Sequence, residues 1–295
     1  GSKRTAQKSE RLQSFLFYQL KRIPLLLVLL MICPVTAQAC RFWVAVGEDI
    51  DQQFIVSQLI DEKYSLKNLG GEYSDGWSVG FYDQGDEIVI RGDEASNFNQ
   101  EFDDAVRYLA VLEPEIIMGH LRRASSGCVE GVPNPHPFRI TYNGKKWLFG
   151  HNGGMRKQIL IDLIGKDFLV KHPPAVCNQN PPESWIDSEL YFMLIMKTVK
   201  EYDDDVVQGI RAALLKLYAN IDEESRYLNF FMSDGETVWI FRKGNSLFYT
   251  FDPQAQMTVI SSTVPEEDPD HWQEFPEDTL AVIRPGAFPQ FTVLK

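Results

Sequence analysis

The sequence predicts an α+β fold in which two sheets carry helices on their outer sides. Three observations lead there. Short apolar or alternating runs between Arg41 and Phe149 are interleaved with stretches of helical spacing. A block of helical pattern follows from Met155 to Leu217, and strand-like runs return from Tyr227 to Val293. No internal repeat or long linker breaks this order, so one layered core is expected.

The elements follow in chain order. Arg41-Phe42-Trp43-Val44-Ala45-Val46-Gly47 is an apolar run closed by glycine and suits a strand. Gln52 to Tyr64 has helical spacing, with Phe54, Ile55, Leu59 and Ile60 on one face. Trp77 to Tyr82 alternates as a strand and can pair with Glu87 to Arg91 across Asp83-Gln84-Gly85-Asp86. Phe98 to Leu112 is helical, and Ile116 to His120 is a strand after Pro114. Ile140-Thr141-Tyr142 and Lys146 to Phe149 flank Asn143-Gly144, the strongest local hairpin signal in the chain. Helices are expected over Met155 to Ile164, Ser188 to Val199 with Asp187 as N-cap, and Asp205 to Leu217. Strands are expected at 227–232, 237–242, 246–250, 257–261, 279–284 and 291–293. The proline-rich stretch from Pro173 to Pro182 reads as a surface loop, not a domain break.

The first 39 residues have another character. Lys3, Arg4, Lys8, Arg11, Lys21 and Arg22 face a single acid, Glu10, and precede the apolar run Ile23 to Ile32 and the exit Ala37-Gln38-Ala39. A basic region, a short apolar region and a small-x-small site form an export signal or propeptide, 1–39, with Cys40 first after its removal. The run falls short of the roughly 20 residues that span a bilayer. An uncleaved membrane anchor and a buried helix stay open as readings, as does lipidation of Cys40. The body, 40–295, is then expected outside the cytoplasm, periplasmic or extracellular, where disulfides are permitted. The simplest pairing joins Cys128 to Cys177 and leaves Cys40 free.

Composition excludes several classes. The chain has 295 residues, 44% of them apolar and 24% charged, which is globular. A net charge of -12 argues against a nucleic-acid surface. Four cysteines make neither a disulfide scaffold nor a multi-cysteine zinc domain. The five histidines lack ligand spacing and no phosphate loop is present, so neither a metal nor a cofactor is expected. Three polar clusters do not read as packing: Gly119 to Gly127 and Phe149 to Gly154, each placed after a strand, and Ile186-Asp187-Ser188-Glu189, which opens a helix. Rigid scaffolds put reactive groups at such exits and entries. Taken singly, Asn152-Gly153 also suits a turn, Asp187 a cap and Arg122 a structural ion pair.

Together these segments resemble the class II glutamine amidotransferase domain, within the N-terminal nucleophile hydrolases. The likeness rests on Cys40-Arg41-Phe42, Asp75-Gly76-Trp77, His120-Leu121-Arg122-Arg123-Ala124-Ser125, Asn134 to Phe138, His151-Asn152-Gly153 and Asp187-Ser188-Glu189, and it spans Cys40 to Lys295. It implies a four-layer αββα sandwich. It implies Cys40 as nucleophile, attacking glutamine to form a γ-glutamyl thioester and release ammonia, with the freed α-amine acting as or relaying to the base. Asn152 and Gly153 match the oxyanion hole, Arg122 the holder of the substrate α-carboxylate, and Asp187 the reader of its α-ammonium. Ser125 and Ser126 are expected to add hydrogen bonds to the carboxylate. Asn134 and His136 are expected to shape a nearby loop, and Trp77 to be core or pocket wall.

The expected activity is that of an exported, stand-alone glutamine amidohydrolase. The alternatives are a hydrolase of γ-glutamyl peptides, amides or thiol conjugates, or an ammonia-supplying subunit for a separate synthase. The expected partners are accordingly glutamine or a γ-glutamyl small molecule, no nucleic acid, and a membrane only if the N-terminal segment is retained.

Overall fold

The computed structural model describes residues 39–124, 133–177 and 182–294. Thirteen strands are found among them: β1 (Arg41–Val46), β2 (Trp77–Asp83), β3 (Asp86–Gly92), β4 (Ile116–Leu121), β5 (Phe138–Tyr142), β6 (Lys145–Gly154), β7 (Tyr227–Ser233), β8 (Val238–Arg242), β9 (Phe248–Asp252), β10 (Met257–Ser261), β11 (Gln273–Glu274), β12 (Thr279–Ile283) and β13 (Gln290–Val293). The helices are α1 (Gln52–Val56), running on as a π-helical turn over Ser57–Asp61, α2 (Leu66–Leu69), α3 (Gln100–Leu112), α4 (Lys157–Ile164), α5 (Lys166–Lys171), α6 (Asp187–Glu201) and α7 (Val206–Tyr218).

The strands form two antiparallel sheets, in the orders β11-β9-β10-β1-β4-β2-β3 and β13-β12-β8-β7-β6-β5. Three separate cores reveal four layers. Phe42, Val44 and Val46 of β1 pack with Met118, Leu148, Phe231 and Ile240 between the sheets. Trp43 and Ala45, the alternate residues of the same strand, join Val79, Phe81, Phe102 and Leu109 beneath α1 to α3. Phe149, Phe230 and Phe241 on the far side of the second sheet meet Leu190, Leu194 and Leu214 of α6 and α7. Strands buried on both faces must be apolar at every position, which is why β1 reads as an unbroken run. Each large side chain so buried contributes about 1.5–3 kcal/mol. The expected αββα sandwich is therefore present.

The local signals explain most boundaries. Asn143 and Gly144 both take left-handed backbone, with φ of 50° and 73°, as a two-residue turn between β5 and β6 requires. The Asn99 and Asp205 side chains cap α3 and α7 by accepting from the backbone N–H of Phe102 and Gln208. Ala39–Lys295 form one unit, with no division at the proline-rich stretch.

Two expectations are corrected. The cluster placed after a strand at Phe149 to Gly154 lies inside β6, which runs ten residues to Gly154. Asp187 is not the N-cap of α6: Ile186 holds that position in extended backbone, and Asp187 is the first helical residue. Its carboxylate is used elsewhere, as described below.

Candidate active site

Cys40 sits at the head of β1, a central strand of its sheet, bounded by β4 and β10. The strand's start is pinned at Phe42, whose N–H donates to Ser262 Oγ at 3.0 Å and whose carbonyl accepts from Ser262 N–H at 3.0 Å. Cys40 is a free thiol with only 6% of its surface exposed. Arg123 N–H donates to its sulfur at 3.3 Å, and the thiol in turn faces Arg123 O at 3.6 Å. Burial pushes the thiol up to about 11, the Arg122 charge opposing the rise and the Asp187 charge adding to it. Arg41 Nη1 donates to the carbonyls of Ala39 and Cys40 at 2.9 and 3.3 Å.

Arg122 leaves the end of β4 with 2% exposure. Its N–H donates to Gly76 O at 2.9 Å, its carbonyl accepts from Asp75 N–H at 3.3 Å, and Asp75 Oδ2 accepts from Ala124 N–H at 2.7 Å. The Asp75-Gly76 loop therefore grips the segment that presents Arg122. Gly76 has φ of +101°, and a Cβ there would lie 2.5 Å from Gly92 O, so the position needs glycine. Burial lowers the guanidinium from its usual range, while Cys40, Asp75 and Asp187 pull it back up.

Asp187 opens α6, where a carboxylate also suits the helix dipole. Its Oδ2 accepts from Met155 N–H at 2.8 Å and its Oδ1 from Ser188 N–H at 2.9 Å. The first bond ties α6 to the end of β6. The neighbouring Glu189, buried and shifted upward by that burial, accepts from the N–H groups of Ala175 and Val176. Cys177, just beyond, is disulfide-bonded. Its expected partner Cys128, like Ser125 and Ser126, lies outside the described residues.

Asn152 is fully buried on β6, opposite Asn229 of β7. Its Oδ1 and its carbonyl both accept from Asn245 Nδ2, at 3.1 and 3.0 Å. Its own Nδ2 is buried and has no hydrogen-bond partner among the described residues. An orphaned buried donor is costly in an empty site and useful if a ligand oxygen arrives. At Gly153, a Cβ would stand 1.9 Å from Tyr227 O and 2.6 Å from His151 Nε2. The glycine there serves close approach within a strand and not a turn.

Three buried histidines join the halves of the site. His120 Nδ1 accepts from Asn134 Nδ2 at 2.9 Å, so its Nε2–H donates to His151 O at 3.3 Å, from one sheet to the other. His136 stacks on His120 at 4.0 Å and bonds Asn134 Oδ1 at 3.2 Å. His151 Nε2 donates to Tyr227 O and its Nδ1 accepts from Ser188 Oγ, both at 2.9 Å. Burial holds all three below the ordinary imidazole range, His120 down to about 3. They are neutral positioning groups. Trp77 is buried core, stacked edge-on to Phe102.

The structure thus sets Cys40 against the segment that follows Arg122, and it ties the end of the strand carrying Asn152-Gly153 to Asp187. Sequence reasoning missed Asn245, Ser262 and the bracing roles of Asp75 and Ser188. Asn245 follows Gly244 and reads locally as an ordinary turn residue.

The αββα sandwich of two antiparallel sheets is the fold of the N-terminal nucleophile hydrolases. Solved structures share that fold. A glutamine aminotransferase class-II domain protein from Silicibacter pomeroyi matches with a TM-score of 0.56 and 18% identity, over 86% of this chain and 99% of that one. Glutamine phosphoribosylpyrophosphate amidotransferase from B. subtilis matches with a TM-score of 0.58 and 14% identity, over 87% of this chain and 49% of that one. Residues 63–252 match the glutamine amidotransferases class-II, and the chain belongs to that family. An uncharacterized protein of Methanocaldococcus jannaschii is 24% identical over 179 residues, 60% of this chain and 45% of its own. The chain thus spans less than half the length of that relative.

Proposed function

We propose that this protein is an exported glutamine amidohydrolase that works through Cys40 once the Ala39–Cys40 bond is cut. The observation that carries the reading is that Asn152 Nδ2, at the position matched to the oxyanion donor, is buried with no hydrogen-bond partner among the described residues. The freed α-amine, with an ordinary pKa of about 7.7–8.0, takes the thiol proton. The sulfur attacks the side-chain amide carbon of glutamine, and the oxyanion is met by Asn152 Nδ2 and the Gly153 N–H. The C–N bond breaks, and the departing nitrogen receives the proton and leaves as ammonia. Water then cleaves the γ-glutamyl thioester to glutamate and restores the thiol. Arg122 holds the α-carboxylate as a fixed fork, Asp187 the α-ammonium, and Ser125 and Ser126 add hydrogen bonds to the carboxylate.

The test joins processing to chemistry. Intact-mass analysis of protein from its native compartment should find a chain beginning at Cys40. That chain should release ammonia from glutamine and gain one adduct from a glutamine-like electrophile, mapped to Cys40 and slowed by glutamine. Cys40→Ser should keep the fold and lose turnover. An adduct on another residue, or turnover surviving in Cys40→Ser, would overturn the mechanism. Faster turnover of a γ-glutamyl peptide, amide or thiol conjugate than of glutamine would replace the substrate while leaving the chemistry.

A further inference from the structure

The geometry points to Asn245 as the residue that aims the Asn152 amide into the site, a positioning role that rests on the reading of Asn152 as the oxyanion donor. Asn245 lies in the loop between β8 and β9, far in sequence from every motif of the site. Its Nδ2 donates to two atoms of Asn152, the backbone carbonyl at 3.0 Å and Oδ1 at 3.1 Å. The first bond decides the second. A backbone carbonyl only accepts, so Asn245 must present its NH2 group there. An NH2 group only donates, so the Asn152 atom beside it must be oxygen. Asn152 Nδ2 is then forced to the opposite side, where it is buried without a partner among the described residues. In the reverse orientation Asn152 would offer an oxygen to a developing oxyanion, which repels.

Asn245 is itself held. Asn229, the cross-strand partner of Asn152, is fully buried and spends its side chain on this loop. Its Nδ2 donates to Asn245 O at 3.1 Å, and its Oδ1 accepts from Lys243 N–H at 2.7 Å. Arg242 Nε donates to the same Asn245 carbonyl at 3.1 Å. The intervening Gly244 has φ of +96°, and a Cβ there would lie 2.4 Å from Arg226 O, so the tight path needs glycine. The loop is thus fastened on both sides of the one amide that sets Asn152.

The test uses the active enzyme with glutamine as substrate and three variants. Asn245→Asp is close to isosteric and replaces the donor with an acceptor, so it should turn the Asn152 amide around. It should lower kcat about 100-fold, as loss of an oxyanion donor does, with KM little changed. Asn152→Ala should lose a similar factor, and the double variant should fall no further than either single one. Alkylation of Cys40 by iodoacetamide, which needs no oxyanion hole, should keep its rate in all three, as it would not in a misfolded protein. Should Asn245→Asp not fold, Asn245→Ala supplies the same comparison and should still cost at least tenfold in kcat. Wild-type kcat in the Asn245 variant beside an impaired Asn152→Ala, or multiplicative losses in the double variant, would overturn the positioning role alone. Wild-type turnover in Asn152→Ala would overturn the oxyanion reading and this inference with it.

Discussion

With the Ala39–Cys40 bond intact, Cys40 should be a poor nucleophile at neutral pH, and the handicap follows from its surroundings. Burial lifts the thiol from 9.0 to about 11, with Arg122 opposing the rise and Asp187 adding to it. That shift of two pH units leaves about 100-fold less thiolate at pH 7.5 than an unperturbed cysteine carries, and the thiolate is the reactive form. Iodoacetamide labelling of the uncut chain between pH 7 and 10.5, assigned to Cys40 by peptide mapping, measures this. The rate should climb about tenfold per pH unit across the range without levelling off. Steric occlusion slows labelling equally at every pH and cannot move the inflection. Cutting the bond places an amine on the same residue, and labelling at pH 8 should then rise sharply. A plateau below pH 9 in the uncut chain would refute control by burial. Equal rates at pH 8 before and after cutting would refute the amine's part.

Two further predictions follow from the charges around the site. Asp187→Ala should weaken use of free glutamine by about 2–5 kcal/mol through KM, and use of an amine-blocked γ-glutamyl analogue much less, because a facing charge loses its partner. It should also shift the labelling profile of Cys40 to lower pH, since the Asp187 charge helps to raise the thiol. Equal loss on both substrates would make Asp187 only the tie between α6 and β6. The second concerns acid. His120, His136 and His151 have folded pKa values below the unfolded one, so the unfolded chain takes up protons first. Their contribution to stability is whole above about pH 6.5 and declines as pH falls below it. For His120, depressed to about 3, the loss at pH 5.5 is on the order of 1 kcal/mol. Urea unfolding at pH 7.5 and 5.5 should show the decline, and His120→Gln should reduce it. An equal decline in that variant would remove His120 from the account.

Much of this structure was legible in the residues. The double-sided burial of β1 and the left-handed pair Asn143-Gly144 are local facts that no tertiary contact needed to correct. The errors have physical causes. Asn152, Gly153 and Gly154 have the composition of a turn, and only the closeness of Tyr227 O shows that the glycine fills a strand position too narrow for a side chain. Asp187 has the residue type and place of a cap, but Met155, brought in by β6, claims its Oδ2. The helix α5 escaped notice because Gly165, with φ of +93°, separates two short helical runs that read as one helix and a tail. Asn245 was hidden for the opposite reason. Nothing local marks it, and its partner stands 93 positions away.

The seat of β1 between β4 and β10 also sets a timetable. Trp43 pairs with Ser261 and Val44 with Ile260, so the strand headed by Cys40 is completed by residues made more than two hundred positions later. Ser262, which fixes Phe42, belongs to the same late segment. On the ribosome, Cys40 therefore emerges long before the strand that seats it. Until residues 257–262 arrive, β1 has β4 on one side and an unsatisfied edge on the other. Such distant pairings are slow to close. A chain that still lacks residues 257–262 therefore carries Cys40 without the strand and the serine that seat it.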